Sequence, residues 1–292
     1  MTKPTTTPPM SIRASRRYAL ALALLLGIAA CQASPSASQS SPSAATTESA
    51  APTQGAAGLS VVTIGDSIPY AQYDCNDCAS FTTLYADALE EDLSMSVDRL
   101  NLSTHDGLVG AVLLERVQTN ESYRTALAEA DVVVISIGGN DTPWNSLTDP
   151  CDGDNGDIQN WTLYTGDCVT ELAARHGDEL DAILAEIETL RAGNPTAIRV
   201  IVGYNDWIGW DQAPPEAIEP TIEVLDAFSV ETCQAAEAHD ALCVDVYHSF
   251  NGADGRGAAG DLLAGDYTHP SALGHERIAE LLLAAGLSPL AL

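Results

Sequence analysis

Five short apolar runs punctuate the chain from residue 59 onward, at 59–64, 95–101, 131–137, 197–203 and 242–246. The first, third and fourth stay apolar for several residues in succession, the pattern of strands covered on both faces. Between and after them apolar residues recur at helical spacing, over about 80–93, 108–118, 168–192, 219–239 and 271–286. The last of these starts at Ser271 after Pro270 and carries apolar Ala272, Leu273, Ile278, Leu281 and Leu282. Strand–helix alternation of this kind predicts a parallel five-stranded sheet with helices on both sides, a three-layer α/β/α domain. No internal repeat is visible.

The first sixty residues do not share this pattern. Arg13, Arg16 and Arg17 precede an apolar stretch from Tyr18 to Ala30, too short for a comfortable membrane span and shaped like a secretory leader. It ends in Leu26-Gly27-Ile28-Ala29-Ala30-Cys31, which resembles a bacterial lipobox with Cys31 as the lipidated residue. An ordinary signal peptide cut nearby, or an uncleaved anchor, are the competing readings. Residues 32–57 are almost all Ser, Ala, Thr, Pro and Gln, a composition that cannot bury enough apolar surface to offset chain entropy. The expected division is therefore a leader over 1–31, a disordered tether over 32–57 and one folded domain over 58–292. An exported, cell-surface or periplasmic lipoprotein follows as the expected location.

Charge narrows the range of partners. Four of the twelve basic residues lie in the leader, so eight remain against 41 acidic ones, a formal charge of −33. All eight are arginine. Such a negative field argues against nucleic acid and polyanionic substrates, and against attraction to anionic head groups, leaving the lipid as the membrane link. Beyond Cys31 the cysteines are Cys75, Cys78, Cys151, Cys168, Cys233 and Cys243. An even count on an exported chain suggests disulfides, and the simplest pairing is local: 75–78, 151–168 and 233–243. A redox or metal role for Cys75-x-x-Cys78 is disfavoured, because no second ligand pair follows.

In open parallel sheets ligands gather beyond the carboxyl ends of the strands, and the chemically able residues follow strands here too. Ser67 comes after the first, Gly107 after the second, Asn140 after the third, and Tyr204-Asn205-Asp206-Trp207 after the fourth. Asp266 and His269 follow the fifth. A serine hydroxyl is a weak nucleophile until a base takes its proton, and the base works best when an anion fixes its tautomer. Ser67, His269 and Asp266 supply those three groups. The commonplace alternatives are a capping serine and a core histidine. His275 has no upstream carboxylate partner and is read as structural; His105 is close enough to Gly107 to edge a pocket.

Three blocks carry a family resemblance: Thr63-Ile64-Gly65-Asp66-Ser67-Ile68, Ile137-Gly138-Gly139-Asn140-Asp141, and Asp266-x-x-His269-Pro270. The chain resembles the GDSL, or SGNH, hydrolases, with Ile68 where the family name has leucine. The resemblance implies a flavodoxin-like sheet, a serine that forms an acyl-enzyme, and an oxyanion hole made by the Ser67 N–H, a glycine N–H and the Asn140 amide. The glycine is the weak match. Asp106 stands where the family commonly has it, so either Gly107 one place later or the Asp106 N–H supplies the donor; Gly107 is preferred, and Gly110 is the outsider.

The expectation is thus an exported serine esterase or lipase acting on small-molecule, lipid or carbohydrate esters, monomeric, without metal or organic cofactor. A carbohydrate O-acetylesterase, an acyltransferase and a non-catalytic surface module on a hydrolase scaffold are the alternatives. The acidic stretch 149–157 fails the EF-hand template and reads as a solvated loop. Trp144, Trp161, Trp207 and Trp210 either wall a pocket or pack ordinary loops.

Overall fold

A computed structural model describes residues 58–71, 78–105, 107–145, 151–152 and 159–291. The leader with Cys31, the tether, Cys75 and hence the 75–78 pairing, Asp106 and most of the 149–157 stretch lie outside the described residues.

The five predicted strands are β1 (Leu59–Gly65), β2 (Val97–Asn101), β3 (Val132–Ser136), β4 (Ala197–Val202) and β5 (Leu242–Asp245). They form one sheet in the order β2-β1-β3-β4-β5, with every pairing parallel. The expected flavodoxin-like order is therefore present. Period-two alternation sorts the valines and isoleucines of the central strands onto two cores. Val62, Ile64, Val133, Ile135, Ile198 and Val200 face one core, while Leu59, Val61, Val132, Val134 and Ile201 face the other.

Eight α-helices complete the described fold: α1 (Ser67–Tyr70), α2 (Phe81–Leu93), α3 (Gly110–Thr119), α4 (Glu121–Glu129), α5 (Asp167–Arg191), α6 (Ile218–Ala238), α7 (Val246–Asn251) and α8 (Ala272–Ala284). Leu113 and Val117 of α3, Leu127 of α4, Ile183 and Ile187 of α5, and Ala235 and Ala236 of α6 cover the first core. Phe81 and Tyr85 of α2, Phe250 of α7 and Ile278 and Leu282 of α8 cover the second. Three of these helices, the four-residue α1 together with α4 and α7, go beyond the sequence expectation. α4 is polar and only nine residues long, but Asn120 Oδ1 caps it by accepting from the Ser122 and Tyr123 N–H groups at 2.9 and 3.4 Å. α7 starts directly where β5 ends, with Asp245 accepting from His248 N at 2.9 Å.

Disulfides join Cys151 to Cys168 and Cys233 to Cys243, as the local pairing predicts. The first ties the loop before α5 to that helix; the second ties α6 to β5. One buried side chain has the opposite character to the rest of its strand. Arg199 of β4 is 1% exposed and spends its guanidinium on backbone oxygens of the segment after α8. Its Nε and Nη2 donate to Gly286 O at 3.2 and 2.5 Å, and Nη2 also donates to Ser288 O at 3.1 Å. A buried cation costs far less when carbonyls replace its water.

Candidate active site

β1 delivers the serine. Its last residue, Gly65, has φ of 150°, and a Cβ there would lie 2.0 Å from the Ser136 oxygen of β3, so only glycine fits this crossing. The next residue, Asp66, is buried and caps α1, accepting from Ile68 N at 3.0 Å. Ser67 therefore opens a helical turn at the carboxyl edge of the sheet. Its Oγ lies 3.0 Å from Nε2 of His269, and Nδ1 of His269 lies 2.5 Å from Oδ2 of Asp266. The sequence places these residues about two hundred positions apart; the fold makes them neighbours.

The histidine arm is built almost wholly from its own loop. Oδ1 of Asp266 accepts from the N–H groups of Thr268 and His269, at 3.0 Å each, while Oδ2 takes the ring. This turn forces Tyr267 to φ of 61°, an uncommon region for a residue with a side chain. Burial pushes the Asp266 carboxyl up, but the His269 N–H and ring and the Thr268 N–H outweigh it and hold the group below its ordinary value. An anionic Asp266 accepts a hydrogen bond from Nδ1–H of the imidazole, which holds the tautomer whose Nε2 is an acceptor facing the serine hydroxyl. Tyr204, after β4, steadies the loop by donating its hydroxyl to Thr268 O at 2.7 Å.

On the other side of Ser67 stands the turn after β3. Gly138 has φ of 114°, and Gly139–Asp141 form a single 3₁₀ turn. Nδ2 of Asn140 donates to Leu108 O at 3.1 Å and approaches Oδ2 of Asp66 at 3.4 Å. Both oxygens of Asp141 accept from Gly110 N at 3.1 Å, capping α3, whose own N-cap Val109 has no side-chain acceptor. These contacts draw the 107–110 loop against Asn140. Gly107 has φ of 68°, and the place a Cβ would occupy is 3.8 Å from Asn140 Oδ1. Gly110 spends its N–H on Asp141 and is therefore already committed. Asp106 is outside the described residues.

Three carboxyls crowd this edge, Asp66 buried and Asp141 and Asp206 half-buried. Burial pushes Asp66 up to about 7, with the Ile68 N–H opposing and the nearby Asp141 adding to the rise. Burial likewise raises Asp141 to about 6 against the pull of the Gly110 N–H, and Asp206 to about 6 against a hydrogen bond from Thr268. Of the other histidines, His275 is buried and accepts from Phe81 N at 3.2 Å, the structural role its sequence context suggests. His105 is exposed and meets the Tyr70 ring edge-on at 5.2 Å. The tryptophans form one cluster, Trp161 against Trp207 at 4.8 Å and Trp144 within 6.3 Å of both, and Trp144 also borders the crevice beside Ser67.

Sequence reasoning named Ser67, His269, Asp266, Asn140 and Gly107, and the fold brings all five to one edge. It gave no role to Asp66, Asp141, Tyr204 or His176, the side chains that hold the first group in place. Asp66 and Asp141 stand inside the quoted blocks, so their position was readable while their contacts were not. His176 lies mid-helix, with no local signal.

A doubly wound parallel sheet with a serine, an imidazole and a carboxylate in hydrogen-bonded series at its carboxyl edge defines a class of α/β hydrolytic proteins. The chain belongs to the GDSL-like Lipase/Acylhydrolase family, whose sequence profile matches residues 63–277. No curated protein sequence matches it significantly. Among solved structures it is similar to the lipase Lip_vut3 from a goat rumen metagenome, with 22% identity, a TM-score of 0.64, and 80% of this chain and 100% of that one covered. It is also similar to Axe2, an acetylxylan esterase from Geobacillus stearothermophilus, at 19% identity and TM-score 0.54 over 79% and 94% of the two chains. A third is LAE5, an alpha/beta hydrolase enzyme from the metagenome of Lake Arreo, Spain, at 22% identity and TM-score 0.52 over 79% and 96%. At these identities the solved structures speak to the fold, and that fold is shared.

Proposed function

We propose that the chain is a carboxylic ester hydrolase working through an acyl-serine. The observation that carries this reading is the unbroken series Ser67 Oγ, His269 Nε2, His269 Nδ1 and Asp266 Oδ2, at 3.0 and 2.5 Å. Ser67 Oγ bonds to the ester carbonyl carbon as its proton passes to Nε2. The tetrahedral intermediate collapses, the C–O bond to the alcohol breaks, and Nε2 returns the proton to the leaving oxygen. Water then repeats the sequence on the acyl-serine, giving up a proton to Nε2 and releasing the acid. The oxyanion takes hydrogen bonds from the Ser67 N–H, the Gly107 N–H and Nδ2 of Asn140. For that, Asn140 turns one amide hydrogen away from Asp66 or Leu108 O. Purified Ser67→Ala should lose turnover of p-nitrophenyl esters and labelling by a fluorophosphonate probe while keeping the parental circular dichroism. Retained turnover in that variant removes Ser67 from the mechanism.

The aromatic cluster favours a second reading, a carbohydrate O-acetylesterase, because Trp144 borders the crevice and sugar faces pack well on such rings. Acetate release from acetylated xylooligosaccharides, compared with p-nitrophenyl acetate, distinguishes the two. The arginine-led leader, the Leu26–Cys31 block and the tether support export as a lipoprotein anchored through Cys31. Incorporation of labelled palmitate into the parent, and its loss in Cys31→Ala, is the expected result.

A further inference from the structure

The crevice at Ser67 does not stop at the surface. Its lining takes in the ends of β3 and β4 and the Gly138–Gly139 turn, with the buried side chains of Ile137, Val202 and Leu225. Phe228 and His176 also line it, both buried, their rings stacked at 5.0 Å with an interplanar angle of 18°. The His176 ring is fixed from three directions. Nε2 of His176 is 3.1 Å from Thr232 Oγ1 on the neighbouring helix, and Phe228 lies flat against the ring. The ring edge is wedged under Gly138, where a Cβ would come within 2.6 Å of His176 Cε1. Burial keeps the imidazole neutral, pushed down to about 4, so no ordinary change of pH gives it a charge to carry outward.

The crevice holds about 100 Å³. A cavity of about 150 Å³ takes one benzene ring, so this smaller crevice takes only a short alkyl chain behind the reacting carbonyl. Apolar surface outweighs polar in the lining, which suits an alkyl chain, although Asp206, Ser229 and Thr232 also border it.

We propose that this crevice is the acyl site and that the Phe228–His176 stack is its end stop, so that the substrates are esters of short acyl groups, from two to about four carbons. This rests on the acyl-serine reading given above. Selection acts on the acid side of the ester, and the alcohol side lies toward solvent. Longer chains must either displace a packed aromatic pair or stay in water, and each methylene left exposed forfeits about 0.8 kcal/mol of burial.

The test is kcat/KM on p-nitrophenyl esters of two, four, eight and twelve carbons for the parent, Phe228→Ala and Phe228→Leu. In the parent, the four-carbon ester should exceed the eight-carbon ester by tenfold or more. Phe228→Ala should narrow that gap about tenfold by removing the stop, and Phe228→Leu should do so more weakly. A parental profile that is flat or rises to twelve carbons overturns the proposal, as does an unchanged profile in either folded variant. If both variants fail to fold, the parent alone decides: ethyl fluorophosphonate should label Ser67 at least tenfold faster than the dodecyl probe, and equal rates refute the end stop. Loss of all ester turnover and all labelling in the parent would instead sink the acyl-serine reading.

Discussion

The two arms that flank Ser67 are held by opposite means. On the histidine side, Asp266 accepts three hydrogen bonds from residues no more than three positions away, and Asp-x-x-His folds as a self-contained loop. On the donor side nothing is local. Asn140 reaches Leu108 O and Asp66, Asp141 reaches Gly110, and Gly138 rests on His176. The first arm is specified by a tetrapeptide and the second by packing among β1, β3, α3 and α5. On the proposed mechanism, the mobile proton is placed on a short stiff loop, while the fixed dipoles are braced by the whole layer.

That contrast can be broken in order of expected effect. His269→Ala removes the proton carrier and should cut kcat by about 10⁴-fold or more, with KM little changed in steady-state assays. A loss under tenfold would mean another base serves Ser67. Asn140→Ala deletes a side-chain donor to the oxyanion and should lower kcat by about 10²–10³-fold, the size seen for such donors elsewhere; an unchanged kcat would leave the hole to backbone N–H groups alone. Asp266→Asn should be milder than loss of the imidazole, by about 10²-fold in kcat, because Tyr204 still holds the loop through Thr268 O. Activity equal to the parent would take Asp266 out of the mechanism.

The smallest effect concerns Asp66, which caps α1 beside Ser67 and faces Nδ2 of Asn140. Burial raises its pKa from 3.8 to about 7 in the folded chain, so between those values the folded state binds the proton more tightly than the unfolded state. Its contribution to stability is present below about pH 4 and is lost as pH rises toward 7. Asp66→Asn, which stays neutral, should therefore raise Tm by a few degrees at pH 8 and lose that advantage at pH 4.5. A Tm difference independent of pH would mean the carboxylate is solvated after all.

Much of the fold was legible in the chain because its central strands are nearly pure valine and isoleucine, and such runs have few other uses. α4 escaped because Glu121-Ser122-Tyr123-Arg124 has little apolar periodicity, and its true signal is a single capping asparagine. α7 escaped because it follows β5 without a loop. Within the site, Ser67, Asp266 and His269 could be read because each sits in a compact motif at a strand end. The bracing residues could not, since the meaning of Asp141 depends on an amide 31 positions earlier and that of His176 on the missing side chain of Gly138. Long-range contacts leave no local trace.

Arg199 has a practical corollary. Its side chain is buried, and besides Ile198 O of its own strand the carbonyls that satisfy it belong to Gly286 and Ser288, beyond the last helix. Trimming the protein back to the end of α8 would strip a buried cation of its Gly286 and Ser288 acceptors, although nothing near Ser67 had been touched. Expression vectors for this protein should therefore keep the residues after α8.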